Sequence, residues 1–228
     1  RYAENGVTWA ELGNEPNLNY EWQESWRGRY EGEWPHGHWA EEPRMRWGNP
    51  EAINTLARVW IEDATRAASV GAYPAFYAFG PTDWGRDRPH GHFGSTKFTD
   101  LVVARLASHH RAETIRLFRD QRAWIAVHVA KYEKDLSFNP YSDDANRPWD
   151  MCLRGYEVVL NAFRRNFGID LNLSAIPIIS TEGGVFVPDH KNSVGADRLP
   201  LNDEEHARQT VEMFRYVENS TPLTAMCP

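Results

Sequence analysis

Along the 228-residue chain, short apolar runs alternate with longer stretches in which apolar residues recur every three or four positions. Residues 7–12, 72–79, 123–129 and 176–180 read as strands, and residues 222–226 begin a fifth. Between the first two, residues 50–70 carry Ile53, Leu56, Val59, Trp60, Ala64 and Ala67 at helical spacing, with Asn49 as the N-cap and Pro50 in the first turn. Residues 98–121 predict one or two helices. Residues 149–167 predict another, with Leu153, Tyr156, Val159, Leu160 and Phe163 on one stripe and Gly168 as its stop, and residues 203–217 a last one. A strand followed by a helix, repeated, is the pattern of βα units feeding a parallel sheet, so the expected class is α/β. No low-complexity tract and no internal repeat interrupts the series.

The segments that follow the strands are long and rich in aromatics, Gly, Pro and His: residues 17–48, 81–97, 130–150 and 183–201. In parallel α/β folds the loops at the carboxyl ends of the strands are where ligands bind, and long loops in a compact domain are normally functional. Ten Trp, nine Tyr and ten Phe occur in the chain, several of them in these loops. Each ring taken singly is explained by packing with one wet edge; as a cluster, Trp34, Trp39, Trp47, Trp84 and Trp149 offer faces on which sugar rings stack, with Tyr132, Tyr141 and His90 or His92 as polar helpers.

Charge narrows the partners. A formal net charge of −7 leaves no clustered Lys/Arg surface for phosphate, so no nucleic-acid partner is expected. No apolar run reaches the length of a membrane span, so none with a membrane is expected either. Cys152, expected in a helix, and Cys227 near the chain end show no metal or redox spacing, and the compartment, secreted or cytoplasmic, stays open. The pairs His36/His38 and His90/His92 have a spacing seen in metal sites but no acidic partners beside them, which favours surface or substrate contacts; no metal and no cofactor is expected.

Two carboxylates carry the chemistry. The first strand ends in Glu11-Leu12-Gly13-Asn14-Glu15-Pro16-Asn17 and the fourth in Ser180-Thr181-Glu182-Gly183-Gly184, so parallel strands deliver Glu15 and Glu182 to one rim. Glycoside hydrolysis needs such a pair, one carboxyl to protonate the leaving oxygen and one carboxylate to attack the anomeric carbon. The plain alternatives are a loop-anchoring acid for Glu15, a capping acid for Glu182 beside the Gly183–Gly184 turn, and a rim histidine for His128.

On these residues the sequence resembles the clan A glycoside hydrolases, the (β/α)8 barrels that include cellulases, mannanases, xylanases and β-glycosidases. Asn14-Glu15-Pro16 is similar to the motif that ends their fourth strand, Glu182 to the nucleophile that ends their seventh, and Ala126-Val127-His128 to the end of their sixth. The resemblance implies that Glu15 is the acid/base, that Glu182 forms the glycosyl-enzyme intermediate, and that Asn14 binds the sugar 2-hydroxyl. His128 would contact the nucleophile or the sugar, with Trp84 and Tyr132 also on the substrate side. The mechanism requires Glu15 protonated and Glu182 ionised at neutral pH, and retention places the two carboxyl groups ~5–5.5 Å apart, against roughly 6.5–9.5 Å for inversion.

The resemblance also implies a partial (β/α)8 TIM barrel, a single catalytic domain over residues 1–228 that carries strands four to seven and the start of eight. The N-terminal strands are absent from it. Such a sheet would leave unpaired edges and an apolar interior, so the chain is expected to partner the remainder of a barrel from a longer protein rather than to close by dimerising. The expected substrate is an oligo- or polysaccharide with β-linked O-glycosidic bonds. The alternatives are transglycosylation through the same intermediate and a non-catalytic carbohydrate-binding barrel; sugar, linkage and endo or exo action are not readable.

Overall fold

The alternation of strand and helix resolves into five parallel strands in a curled, half-barrel sheet in the order β1-β2-β3-β4-β5. The computed structural model describes residues 6, 8–17, 50–80, 95–131, 134–142, 151–185 and 202–227. The strands are β1 (Trp9–Ala10), β2 (Tyr73–Phe76), β3 (Trp124–His128), β4 (Ile178–Glu182) and β5 (Ala225–Met226). Between them lie α1 (Pro50–Ser69), α2 (Ser95–His109), α3 (Arg111–Asp120), α4 (Tyr156–Phe167) and α5 (Asp203–Ser220). Strand neighbours follow sequence order, and each connection crosses over through helix, which is what a parallel pair requires.

All five expected strands form, with shifted bounds. The first two are shorter than their apolar runs because the ladder thins to an isolated bridge, Asn14 to Ala78, beyond Ala10 and Phe76. β4 runs two residues past the expected end at Ser180, so Glu182 closes the strand instead of following it. Residues 98–121 split into two helices at His110, whose backbone is non-helical. The helix expected from residue 149 begins later, at Tyr156, after a 3-10 turn at Leu153–Gly155, which leaves the buried Cys152 outside any helix. Gly168 ends α4 with φ of 56°, a conformation costly for residues with a Cβ. The expected N-cap Asn49 lies outside the described residues.

The sheet has two apolar faces of unequal size. The outer face meets the helices in the main core, where Phe76, Ile125, Val127 and Ile178 of the strands pack with Leu56, Trp60, Phe98, Leu106, Phe163 and Met213. The inner, concave face is a smaller cluster of Ala75, Ala78, Trp124 and Ala126 with Tyr73 and Ile179 against it. Trp9 stands edge-on to Tyr73 and Trp124 on that same face, with ring centroids 5.6 and 5.7 Å apart. The period-2 alternation of the strands therefore assigns Trp9, Tyr73, Trp124, Ala126 and Ile179 to the concave side. Among the described residues, no helix is long and apolar enough to cross a membrane.

Trp60 joins helix layer to sheet. Its ring is fully buried, stacked on Phe118 and edge-on to Phe76, and its indole Nε1 donates to the Ala75 carbonyl at 2.8 Å. Truncation removes a large buried ring and leaves a buried carbonyl without its donor. Trp60→Ala is expected to lower the unfolding free energy by about 3–5 kcal/mol, read from urea denaturation followed by circular dichroism. A loss below about 1 kcal/mol would contradict this account of the core.

Candidate active site

Glu15, His128 and Glu182 meet at the carboxyl ends of β1, β3 and β4. Each offers one oxygen or nitrogen atom, and the three atoms lie within 4.8 Å of one another. His128 Nδ1 is 3.1 Å from Glu15 Oε1, and Nε2 is 3.8 Å from Glu182 Oε1 and 3.9 Å from Glu11 Oε1. The histidine side chain is 4% exposed, Glu15 18% and Glu182 62%, so the imidazole forms the floor, Glu15 one shielded wall and Glu182 the open side. His128 Nε2 is buried and has no hydrogen-bond partner among the described residues. It faces two carboxylates just beyond hydrogen-bond reach.

The local backbone explains how each acid gets there. After β1, Glu15 N donates to the Ala78 carbonyl at 3.1 Å, and the fully buried Asn17 closes a reciprocal pair with Gly80. Its Nδ2 donates to the Gly80 carbonyl at 3.0 Å, and its Oδ1 accepts from Gly80 N at 2.9 Å. An amide side chain thus imitates a strand rung and pins the residues after Glu15 to the end of β2. Between these anchors Glu15 is held at φ of 40°, in the left-handed region, where a residue with a Cβ stores of order 1–3 kcal/mol. Such strain persists only when the surroundings over-determine it.

On the other side of the cleft the ladder carries a bulge. Val127 pairs with Ser180, but His128 pairs with Glu182, so Thr181 is an extra residue in β4. In a regular strand Glu182 would share a face with Ile178 and Ser180, which point into the helix layer. The bulge resets the alternation and turns Glu182 to the concave side, beside its register partner His128. Ser180 secures it: its Oγ donates to the Glu182 carbonyl at 2.7 Å, while Val129 N donates to that same carbonyl at 3.3 Å. Thr181 Oγ1 in turn donates to Glu11 Oε1 at 2.8 Å, across the concave face.

The sequence-based site residues divide in two. Glu15, Glu182 and His128 come together, and Asn14 sits exposed at the same rim, next to Glu15. Trp84 and Tyr132 lie outside the described residues, as do Trp34, Trp39, Trp47, Trp149, His36, His38, His90 and His92. Tyr141 is half-buried, and its hydroxyl is buried without a partner among the described residues. Reading the sequence missed Glu11, Thr181, Ser180 and Asn17. Alternation would have found Glu11, two residues after the inward Trp9; nothing in the sequence marks the bulge.

The cluster supports two kinds of chemistry. Two carboxylates facing each other across a histidine suit proton transfer paired with nucleophilic attack, and a set of two oxygens and one imidazole nitrogen is also one that a divalent cation such as zinc could use. Comparisons of the chain with protein-family models, with curated proteins and with solved structures find no match.

Gly183 follows the bulge under a steric constraint. A Cβ there would stand 2.8 Å from the Val129 carbonyl oxygen and 3.1 Å from Ser180 Oγ, and the first of these is backbone that cannot swing away. Gly183→Ala is expected to destabilise the fold by about 1–3 kcal/mol, as overpacking does, and to displace Glu182 from His128. Thermal unfolding measures the first effect and a crystal structure of the variant the second; a wild-type midpoint with an unmoved Glu182 would show that the strand end tolerates a side chain.

Proposed function

We propose that this chain carries the catalytic residues of a retaining glycoside hydrolase acting on β-linked oligo- or polysaccharides, built on part of a (β/α)8 barrel of the clan A type. One observation carries the reading: Glu15 and Glu182, each at the carboxyl end of its own parallel strand, bring carboxylate oxygens within 4.8 Å of each other over His128. That approach fits the ~5–5.5 Å between the carboxyl groups of retaining enzymes and falls short of the roughly 6.5–9.5 Å of inverting ones. The barrel is supported by the curl of the sheet and by Trp9, 47% exposed on the concave face, where further strands of a closed barrel would cover it.

In this mechanism Glu15 gives its proton to the glycosidic oxygen as that bond breaks, and a Glu182 oxygen bonds to the anomeric carbon from the opposite face. A water then attacks that carbon, Glu15 takes its proton, and the bond to Glu182 breaks to return both acids to their starting states. His128 fixes the orientation of the Glu15 carboxyl through Nδ1. The shielded place of Glu15 suits the acid and the open place of Glu182 leaves it accessible to the anomeric carbon. Asn14 takes the sugar 2-hydroxyl, and Trp84 and Tyr132 are assigned to substrate from the long loops. A sugar acceptor in place of water would make the same enzyme a transglycosylase.

The test uses the intact protein that carries this chain against a panel of β-linked glycosides. Glu182→Gln and Glu15→Gln are each expected to lower kcat/KM by about a thousandfold or more, with the anomeric configuration of the product retained in wild type by NMR. Activity is expected to survive a chelator. Inversion, or a Glu182→Gln variant within tenfold of wild type, would overturn the reading; loss of activity on chelation and recovery with zinc would assign the same cluster to a metal instead. Binding of the panel without turnover would favour a carbohydrate-binding barrel.

A further inference from the structure

The two proposed catalytic acids stand on strands that are not neighbours. β1 and β4 are separated in the sheet by β2 and β3, so no ladder hydrogen bond fixes the distance between them. Among the described residues, one side-chain hydrogen bond spans that gap: Thr181 Oγ1 to Glu11 Oε1, 2.8 Å, between residues 170 apart in sequence. Both ends lie beside the acids. Thr181 precedes Glu182 and is itself the extra residue of the bulge, and Glu11 lies four residues before Glu15 on the inward face of the same segment.

We infer that the Glu11–Thr181 pair is a positioning device, a tie across the concave sheet that holds the bulge in place and sets the separation of Glu15 and Glu182. Three observations converge on it. The bulge leaves Thr181 without a partner on β3, and among the described residues its side chain is held by the bond to Glu11. Glu11 is 31% exposed on its side chain, and its accepting oxygen is the same Oε1 that lies 3.9 Å from His128 Nε2, so the tie also places a third carboxylate at the floor of the cleft. Among the described residues, the backbone bonds that hold Glu182 are local to β3 and β4, through Ser180 and Val129. Among the described residues, the other links between β1 and β4 run through β3, by the Glu15–His128 bond and the His128–Glu182 pairing, and through the twisting sheet itself, where small changes of curl add up.

The inference rests on the glycosidase reading for its kinetic consequence but not for its geometry, and the experiment separates the two. In the intact protein, Thr181→Val keeps the shape and removes the donor. Its kcat is expected to fall about tenfold to a hundredfold, the effect of a misplacement of about 1 Å, with KM changed less than threefold. Thr181→Ser keeps the hydroxyl and is expected within threefold of wild type. Glu11→Met removes the acceptor, and the double variant Thr181→Val/Glu11→Met is expected to be no worse than the poorer single one. Wild-type kcat in Thr181→Val, equal losses in the Ser and Val variants, or additive losses in the double variant would each overturn the tie. Should Thr181→Val not fold, Glu11→Met against Glu11→Gln, which retains an acceptor oxygen, asks the same question from β1. Should the wild type cleave no glycoside, the catalytic reading has failed and crystal structures decide the tie alone. A Glu15 to Glu182 separation wider in Thr181→Val than in wild type supports it, and an unchanged one overturns it.

Discussion

The strict two-residue alternation of a β-strand is the constraint on which the site depends, because it assigns every side chain of the sheet to the helix layer or to the concave face. β3 obeys it throughout: Ile125 and Val127 go outward into the main core, Trp124, Ala126 and His128 inward. β4 cannot obey it and also deliver Glu182, since Ile178 and Ser180 have already committed the even positions to the helix side. One inserted residue resolves the conflict. The register shift between Val127 and His128 lets both Thr181 and Glu182 face the cleft, and the cost is a local break in the ladder that Ser180, Val129 and Gly183 are arranged to contain.

The opposite wall answers the same need by a different route. Glu15 lies beyond the end of a two-residue strand, where alternation no longer directs it, and its orientation is set by a left-handed backbone clamped between the Ala78 bond and the Asn17–Gly80 pair. Both acids are thus placed by departures from regular structure: a bulge on one side and a strained residue on the other. Regular strands hold the scaffold around them. Carboxylates placed in this way are held by the backbone around them, and the strain at Glu15 is borne by the buried core behind it.

How much of this was legible in the sequence follows from which physics is periodic. The five strands and the helical segments were, because burial repeats every two residues or every three to four, and Glu15, His128 and Glu182 were found because each sits where an apolar run stops. The bounds moved where tertiary pairing overrode the apolar pattern, as at β4, whose last two residues are polar and pair nonetheless. The bulge was not legible: Ser180-Thr181-Glu182 reads the same with or without it, and its register is decided by β3. Nor was Asn17, whose side chain replaces a strand rung only because Gly80 lies opposite it, 63 residues on.

On β1, β3 and β4 the concave face passes from apolar to polar or ionisable within two or three residues. Trp9 gives way to Glu11, Ala126 to His128, Ile179 to Thr181 and the bulged Glu182. Below the boundary, Trp9, Tyr73 and Trp124 pack edge to face and keep the floor low in polarity; above it, three carboxylates surround one imidazole within 4 Å of its nitrogens. The acids differ in how far solvent screens them, Glu15 least and Glu182 most, so a group standing over the cleft meets one shielded and one open carboxylate. Under the proposed glycosidase reading, a glycosyl centre that becomes positive as its bond breaks is what such a cluster would favour over the neutral ground state, the differential a catalyst requires. Beyond its bond to Thr181, Glu11 sets a further carboxylate against Nε2 of His128, on the side away from Glu15.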